Sequence, residues 1–365
     1  MRKSAKLSLA LALMMGTTAG VNMVAPSSAS AEISDKFRLE MNGVMSYFND
    51  TDHNYYGGYN KRIDNTYLAK GWNNYTRLVF SYNIDRDTRA YARVHSGYDA
   101  YGNYYKYDNN KTYFDQAYIQ YNDRKSNLHY ILGKRGMTLG QSMVYNSTGN
   151  QTGVQVTLGN WYDPNNLMLF WGNRMGGQRV WGAQAVCSPA KPVSLNLTYL
   201  QSDTAYWNEK KPAIPPKVEK DKFIDVGTKV KLGHNSTLVG EFARNMSGTP
   251  SNTRTVSGHN KGWFVEYFTG PTNDFGSGLP LQKVGTHAFS VRYQDIGQDG
   301  TAVHNNTFYD DKKGIRLDYG YVFKKGMSAD LVVGRMKDKG TSSNKDASKG
   351  KMSNIVVASL SYKFK

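Results

Sequence analysis

Hydrophobic positions along the chain recur every second residue, not at helical spacing. Phe37, Leu39, Met41, Met45 and Tyr47 alternate with Arg38, Glu40, Asn42 and Ser46. The same alternation carries Leu78, Phe80, Tyr82 and Ile84, then Ile315, Leu317, Tyr319, Tyr321 and Phe323, and finally Val356, Ala358, Leu360, Tyr362 and Phe364. Sixteen strands follow from this pattern, near 37–48, 74–85, 89–98, 112–122, 128–134, 153–159, 166–172, 180–186, 193–202, 223–232, 236–246, 261–268, 286–295, 313–323, 327–335 and 352–364.

A soluble sandwich alternates in the same way, so the connections between strands carry more information. Long stretches at Asn49–Asn73, Asp99–Lys111, Asp203–Lys222, Ser247–Asn260 and Met336–Lys351 take turns with short links at Arg86–Thr88, Asp123–Asn127, Gly233–Asn235 and Lys324–Gly326. Short turns at one end and long loops at the other are the habit of an outer-membrane barrel, with the turns in the periplasm. One connection breaks the parity: Thr269–Gly285 is long where a tight turn is due. It is either an enlarged periplasmic turn or a missed hairpin, which leaves 18 strands open. The expected fold class is therefore all-β, a transmembrane antiparallel β-barrel of about 16 strands.

The amino terminus fits export. Arg2, Lys3 and Lys6 precede the apolar run Leu7–Met15, and Ala29-Ser30-Ala31 offers a small-x-small cleavage pattern. Residues 1–31 are read as a signal peptide and 32–365 as the barrel. Beyond it no stretch approaches the ~20 consecutive apolar residues of a membrane helix. A mean hydropathy of −0.61 is compatible with a barrel, where only alternate strand residues meet lipid. The single Cys187, placed by the pattern in a turn beside Pro189 and Pro192, rules out an intramolecular disulfide. Closure of the sheet, which leaves no strand edge unpaired, would supply stability instead. Aromatic residues near the predicted strand ends (Tyr47, Tyr75, Tyr121, Tyr130, Trp171, Trp181, Tyr199, Trp263, Tyr267, Tyr293 and Phe364) suit the headgroup level on both sides.

Three stretches resemble the Gram-negative porins, in particular the broad group of general diffusion and phosphate-type porins. Phe114-Asp115-Gln116-Ala117-Tyr118-Ile119 is similar to the fourth strand of that family. The run from Gly133-Lys134-Arg135 through Leu139-Gly140 to Gly153-Val154-Gln155-Val156 resembles its fifth strand, third loop and sixth strand. The ending Tyr362-Lys363-Phe364-Lys365 resembles the closing strand that barrel-assembly machinery reads, although Lys365 follows the terminal aromatic. The resemblance implies a third loop, Gly136–Thr152, folded into the barrel, and a homotrimer in contact with membrane lipid and lipopolysaccharide.

If the apolar phase faces lipid, the other phase faces the lumen. It carries Arg38, Arg77, Arg89, Arg93, Arg135, Lys229, Lys231, Arg292 and Arg316 against fewer acids, Glu40, Asp225, Glu266 and Asp318. A basic wall concentrates anions, and arginine stays charged while binding oxyanions bidentately. The candidate pore-lining residues are Arg38, Arg77, Arg93, Lys134, Arg135, Arg292 and Arg316, with Arg77, Arg93 and Arg135 as the basic side of a constriction. Loop lysines such as Lys210, Lys211, Lys217, Lys220 and Lys222 could serve lipopolysaccharide or hydration instead. The expected function is a water-filled channel for passive diffusion of small hydrophilic solutes and ions, weakly anion-selective, needing no cofactor and no metal. A secreted or surface β-sandwich adhesin is the main alternative. An outer-membrane barrel enzyme is another, but His53, His95, His129, His234, His259, His287 and His304 show neither metal-ligand spacing nor a triad order. A pI near 9.6 would also fit nucleic-acid binding, which export and strand parity oppose.

Overall fold

A computed structural model describes residues 36–50, 70–98, 112–159, 165–174, 178–206, 217–247, 259–272, 274–276, 278–297, 299–302, 312–339, 350 and 352–364. The expected signal peptide, Lys210, Lys211, His53, His304 and Lys365 lie outside these residues.

Sixteen strands form one antiparallel sheet that closes on itself, β1 to β16, with every other neighbour consecutive in sequence. They are β1 (Phe37–Asp50), β2 (Lys70–Asn83), β3 (Thr88–Tyr98), β4 (Tyr113–Asp123), β5 (Leu128–Leu139), β6 (Tyr145–Leu158), β7 (Asn166–Arg174) and β8 (Arg179–Ala190), followed by β9 (Val193–Tyr206), β10 (Lys217–Lys231), β11 (Ser236–Asn245), β12 (Lys261–Thr269), β13 (His287–Ile296), β14 (Lys312–Lys324), β15 (Met327–Asp338) and β16 (Met352–Phe364). The sandwich alternative is overturned by this closure, and the count is 16. The Thr269–Gly285 connection is an enlarged turn carrying one 3-10 turn, Leu279–Leu281.

Side chains outside the ring are apolar and exposed. Leu39, Leu132, Val154, Leu169, Leu197, Val226 and Leu331 all stand open, Leu132 at 61%. A continuous surface of this kind is untenable in water and is a lipid-facing band. Among the described residues no helix is long and apolar enough to cross a membrane, so the crossing is by strands. Aromatics pair on the same surface near the strand ends. Trp181 meets Tyr199 at 5.3 Å and Trp263 meets Tyr293 at 5.6 Å toward the long-loop end, while Tyr121 stacks on Tyr130 at the short-turn end. Tyr75 departs from the expected girdle. It shares the inward face of β2 with Arg77 and stacks on His95 at 5.3 Å.

Short turns are held by their own side chains. Asp85 Oδ1 accepts the N–H groups of Asp87 and Thr88, each at 2.8 Å, and Asp123 accepts from Lys125 N–H and the Ser126 hydroxyl. At the long-loop end the strands outrun the apolar pattern. The β9–β10 ladder continues to Lys217 opposite Tyr206, so Lys217, Lys220 and Lys222 stand on a strand and not in the expected loop. Cys187 likewise lies within β8, opposite Leu195, instead of in a turn. Backbone pairing extended these strands where the side chains had turned polar.

The seam between first and last strands is clamped on both faces. Inside, Lys363 Nζ sits 3.1 Å from Glu40 Oε1. Outside, Tyr362 lies across Gly43 and its hydroxyl bonds to the Thr76 hydroxyl on β2, spanning three strands. A Cβ at Gly43 would stand 2.3 Å from the Tyr75 carbonyl and 2.4 Å from the Tyr362 hydroxyl, so only glycine admits this crossing. Replacing Tyr362 by Phe should cost about 1 kcal/mol, the net worth of one hydrogen bond. Gly43→Val should cost more by forcing the ring away. Both should lower the temperature at which the folded band is lost in gel electrophoresis without boiling, the second by the larger shift.

Candidate functional site: a hairpin across the lumen

The stretch expected as a third loop, Gly136–Thr152, is mostly strand. β5 continues to Leu139 and β6 starts at Tyr145, with partners Thr138–Asn146 and Leu139–Tyr145 in register beyond a bulge at Arg135/Met137. Only Gly140–Val144 turns. This hairpin enters the barrel and docks on strands far around the ring. Gly140 N–H donates to Gln184 Oε1 on β8 at 2.6 Å, Gln141 Nε2 to Asn196 Oδ1 on β9 at 2.8 Å, and Met143 N–H to Glu241 Oε2 on β11 at 2.9 Å. Asn196 in turn donates to Asp225 on β10 at 2.9 Å. The turn thus finds acceptors for backbone groups that would otherwise be buried unpaired.

Apolar packing holds it there as well. Met137, Leu139, Met143, Val144 and Tyr145 join Met168, Phe170, Val180, Leu200, Phe223, Val239, Ala243, Phe264, Phe268 and Ile296 in one buried cluster. The second group belongs to the inward faces of β7–β13. An inner wall of uniformly polar character, the expectation from alternation, is therefore corrected for nearly half the ring. The signal was present in strands apolar in both phases, such as Leu167-Met168-Leu169-Phe170-Trp171.

The docking strands β8–β11 lie half a turn around the ring from β16–β3. On that opposite wall Arg77, Arg93 and His95 form a cluster with Asp115 of the neighbouring β4. Arg93 grips Asp115 bidentately, Nε to Oδ1 at 2.9 Å and Nη2 to Oδ2 at 2.6 Å. Arg77 Nε lies 3.7 Å from the same carboxylate and donates to His95 Nδ1 at 3.1 Å, while its guanidinium covers the Tyr75 ring at 4.2 Å. Two arginines share one acid here. Asp115 is the member of this cluster that alternation missed, because a bulge opposite Arg93/Val94 inserts it as an extra residue and breaks the period.

The remaining expected wall residues are distributed, not assembled. Arg292 and Arg316 are register partners on the inner face of β13–β14, but each holds its own carboxylate, Glu266 at 2.7 Å and Asp318 at 2.7 Å. Arg135 faces inward at the hairpin base and donates to the Gly136 carbonyl at 2.8 Å. Arg38 occupies the second position of β1, exposed at the short-turn mouth. Lys134 is a correction: it shares the outward phase with Leu132, opposite Thr152, and its ammonium donates to the Phe114 carbonyl at 2.9 Å. Among the described residues no group of three His, Cys, Asp or Glu side chains could hold a metal ion.

No family model and no curated protein matches this sequence. Solved structures do. A high-pH structure of Pseudomonas putida OprB aligns over 92% of this chain and 96% of its own, with a TM-score of 0.57 at 11% identity. A loop-deleted OmpT, an outer membrane protein of Vibrio cholerae, aligns over 90% and 100% with a TM-score of 0.53 at 9% identity. A triple mutant of Rhodopseudomonas blastica porin gives 0.53 at 12% identity over the same shares.

If the hairpin is seated by Gln184 and Glu241, their joint replacement by Ala should remove about 2 kcal/mol and raise its undocked population roughly 30-fold. A Val144→Cys probe in a Cys187→Ser background reads this, since Val144 is fully buried. Thiol labelling should be slow in the parent and accelerated in the double variant. At these levels of identity the likeness settles architecture alone: the chain has the sixteen-stranded barrel fold of bacterial porins.

Proposed function

We propose that this barrel is a passive diffusion channel of the outer membrane, for small hydrophilic solutes and with a weak preference for anions. Export through residues 1–31 belongs to the same reading. The observation that carries the preference is a mismatch of charge across the lumen. Residues 136–152, which make the hairpin, contain no Asp, Glu, Lys or Arg. The wall half a turn away carries Arg77 and Arg93 against Asp115 alone within that cluster. The acids on the docking side, Asp225 and Glu241, are buried behind the hairpin, so the charge that faces it across the lumen is that of the two arginines and Asp115.

The preference is weak because two further inward arginines, Arg292 and Arg316, are neutralised. Arg292–Glu266 and Arg316–Asp318 are closed pairs that add little field at a distance. A residual charge of this size is also screened over about 8 Å at physiological ionic strength, so selectivity falls as salt rises.

Reversal potentials in planar bilayers under a KCl gradient test the proposal. The parent should reverse on the anion side, and Arg77→Gln with Arg93→Gln should move the reversal toward cations. Asp115→Asn, which removes the acid and leaves both arginines, should move it the opposite way. A cation-side reversal of the parent, or no response to either change, contradicts the assignment.

A further inference from the structure

The enlarged turn after β12 does not hang below the barrel. Its apolar residues Phe275 and Leu279 pack on Ala288 of β13 and Val322 of β14, both on the inward face. The wall is shaped to receive them. A Cβ on Gly320 would stand 2.4 Å from Leu279 Cδ2 and 2.5 Å from Phe275 Cδ1, so the missing side chain is the seat. The 3-10 turn also lies against β15 and β16. There Val322, Ser328 and Ser361 are register neighbours on the inner face, and none exceeds 1% exposure. Inner-wall residues facing an open, water-filled mouth would be wet; these are covered.

The segment is also internally fixed. Leu279 N–H donates to the Asp274 carbonyl at 2.8 Å and Gln282 N–H to the Leu279 carbonyl at 2.9 Å. Asp274 N–H is taken by the Thr272 hydroxyl at 3.0 Å. Both ends are tied to the sheet, Gly270 N–H to the Asn235 carbonyl and Gly285 N–H to the Val322 carbonyl, each at 2.8 Å. With these bonds and Leu279 fully buried, its described residues have the properties of a shelf.

We propose that the turn carrying Phe275 and Leu279–Leu281 forms a second constriction, seated on the inner wall of β13–β16 at the periplasmic mouth and limiting solute size there independently of the hairpin. This rests on the reading of the barrel as a diffusion channel. The two elements occupy different walls, the hairpin docking on β8, β9 and β11 and the shelf on β13–β16. The shelf sorts by size and not by charge: Asp274 and Lys283 are its ionisable residues, one of each sign.

Two variants separate the shelf from the rest. In one, residues 272–284 are replaced by a four-residue Gly/Asn turn. In the other, Gly320→Leu fills the seat without shortening the segment. Single-channel conductance in KCl should rise about 1.5-fold or more in each, and larger neutral sugars should enter proteoliposomes faster, while the KCl reversal potential stays at the parent value. Unchanged conductance and sugar entry in a variant that inserts would overturn the shelf and leave the channel reading intact. A parent that never conducts would overturn both. Should the truncated chain fail to fold, Ala288→Cys in a Cys187→Ser background decides: a water-soluble thiol reagent should label it slowly in the parent and rapidly with Gly320→Leu. Equal, fast labelling in both would show that nothing covers that wall.

Discussion

Every backbone N–H and C=O in the membrane must find a partner within the protein, because lipid offers none. The pairing of β1 with β16 over Met41–Asp50 and Ile355–Phe364 is what satisfies this for the whole sheet. Once the ring is closed, each strand has two fates for its side chains, and the period of two assigns them. Leu39, Leu132 and Leu331 are stable where they stand only because the solvent outside is hydrocarbon. The same seam explains the local chemistry around Gly43, Tyr362, Lys363 and Glu40, which locks the two chain ends together on both faces.

Inside the ring the physics changes, since water fills what the side chains leave open. Apolar groups on the inner wall are then a driving force, each worth about 1.5–3 kcal/mol when covered. The β7–β13 wall uses Phe170, Leu200, Phe223 and Phe264 in this way to seat the hairpin, and the β13–β14 wall uses Ala288 and Val322 to seat the enlarged turn. Polar contacts then fix the position: Gln184, Asn196 and Glu241 take the hairpin turn at three adjacent places. Filling part of the tube with its own chain leaves Arg77, Arg93 and Asp115 together on the wall that the hairpin does not dock on.

Sixteen strands, most of their boundaries and the alternation of short and long connections were legible in the sequence, because lipid enforces a binary pattern on every strand, but β6 begins at Tyr145 and β10 at Lys217, well before the apolar pattern does. The inward face was legible only where it was polar. Phe170 and Leu200 look like any buried residue until the hairpin that covers them is known. Asp115 was hidden by a bulge that adds one residue to β4, and Lys134 was drawn into the wrong group by its neighbour Arg135 on the other face. The lengths of β9 and β10 escaped because backbone pairing continues through residues with no apolar pattern. Polar satisfaction leaves no local trace, and long-range packing leaves only a strand apolar in both phases, as at Leu167-Met168-Leu169-Phe170-Trp171.

Neighbouring residues on one strand meet opposite solvents. Spin labels placed one at a time from Arg77 to Tyr82 on β2, in protein reconstituted into lipid, test it most directly. At Leu78, Phe80 and Tyr82 relaxation should respond to oxygen dissolved in the bilayer, and at Arg77, Val79 and Ser81 the response to oxygen should drop relative to an aqueous nickel complex. Six labels with one common accessibility, whether to water or to lipid, would contradict the barrel outright.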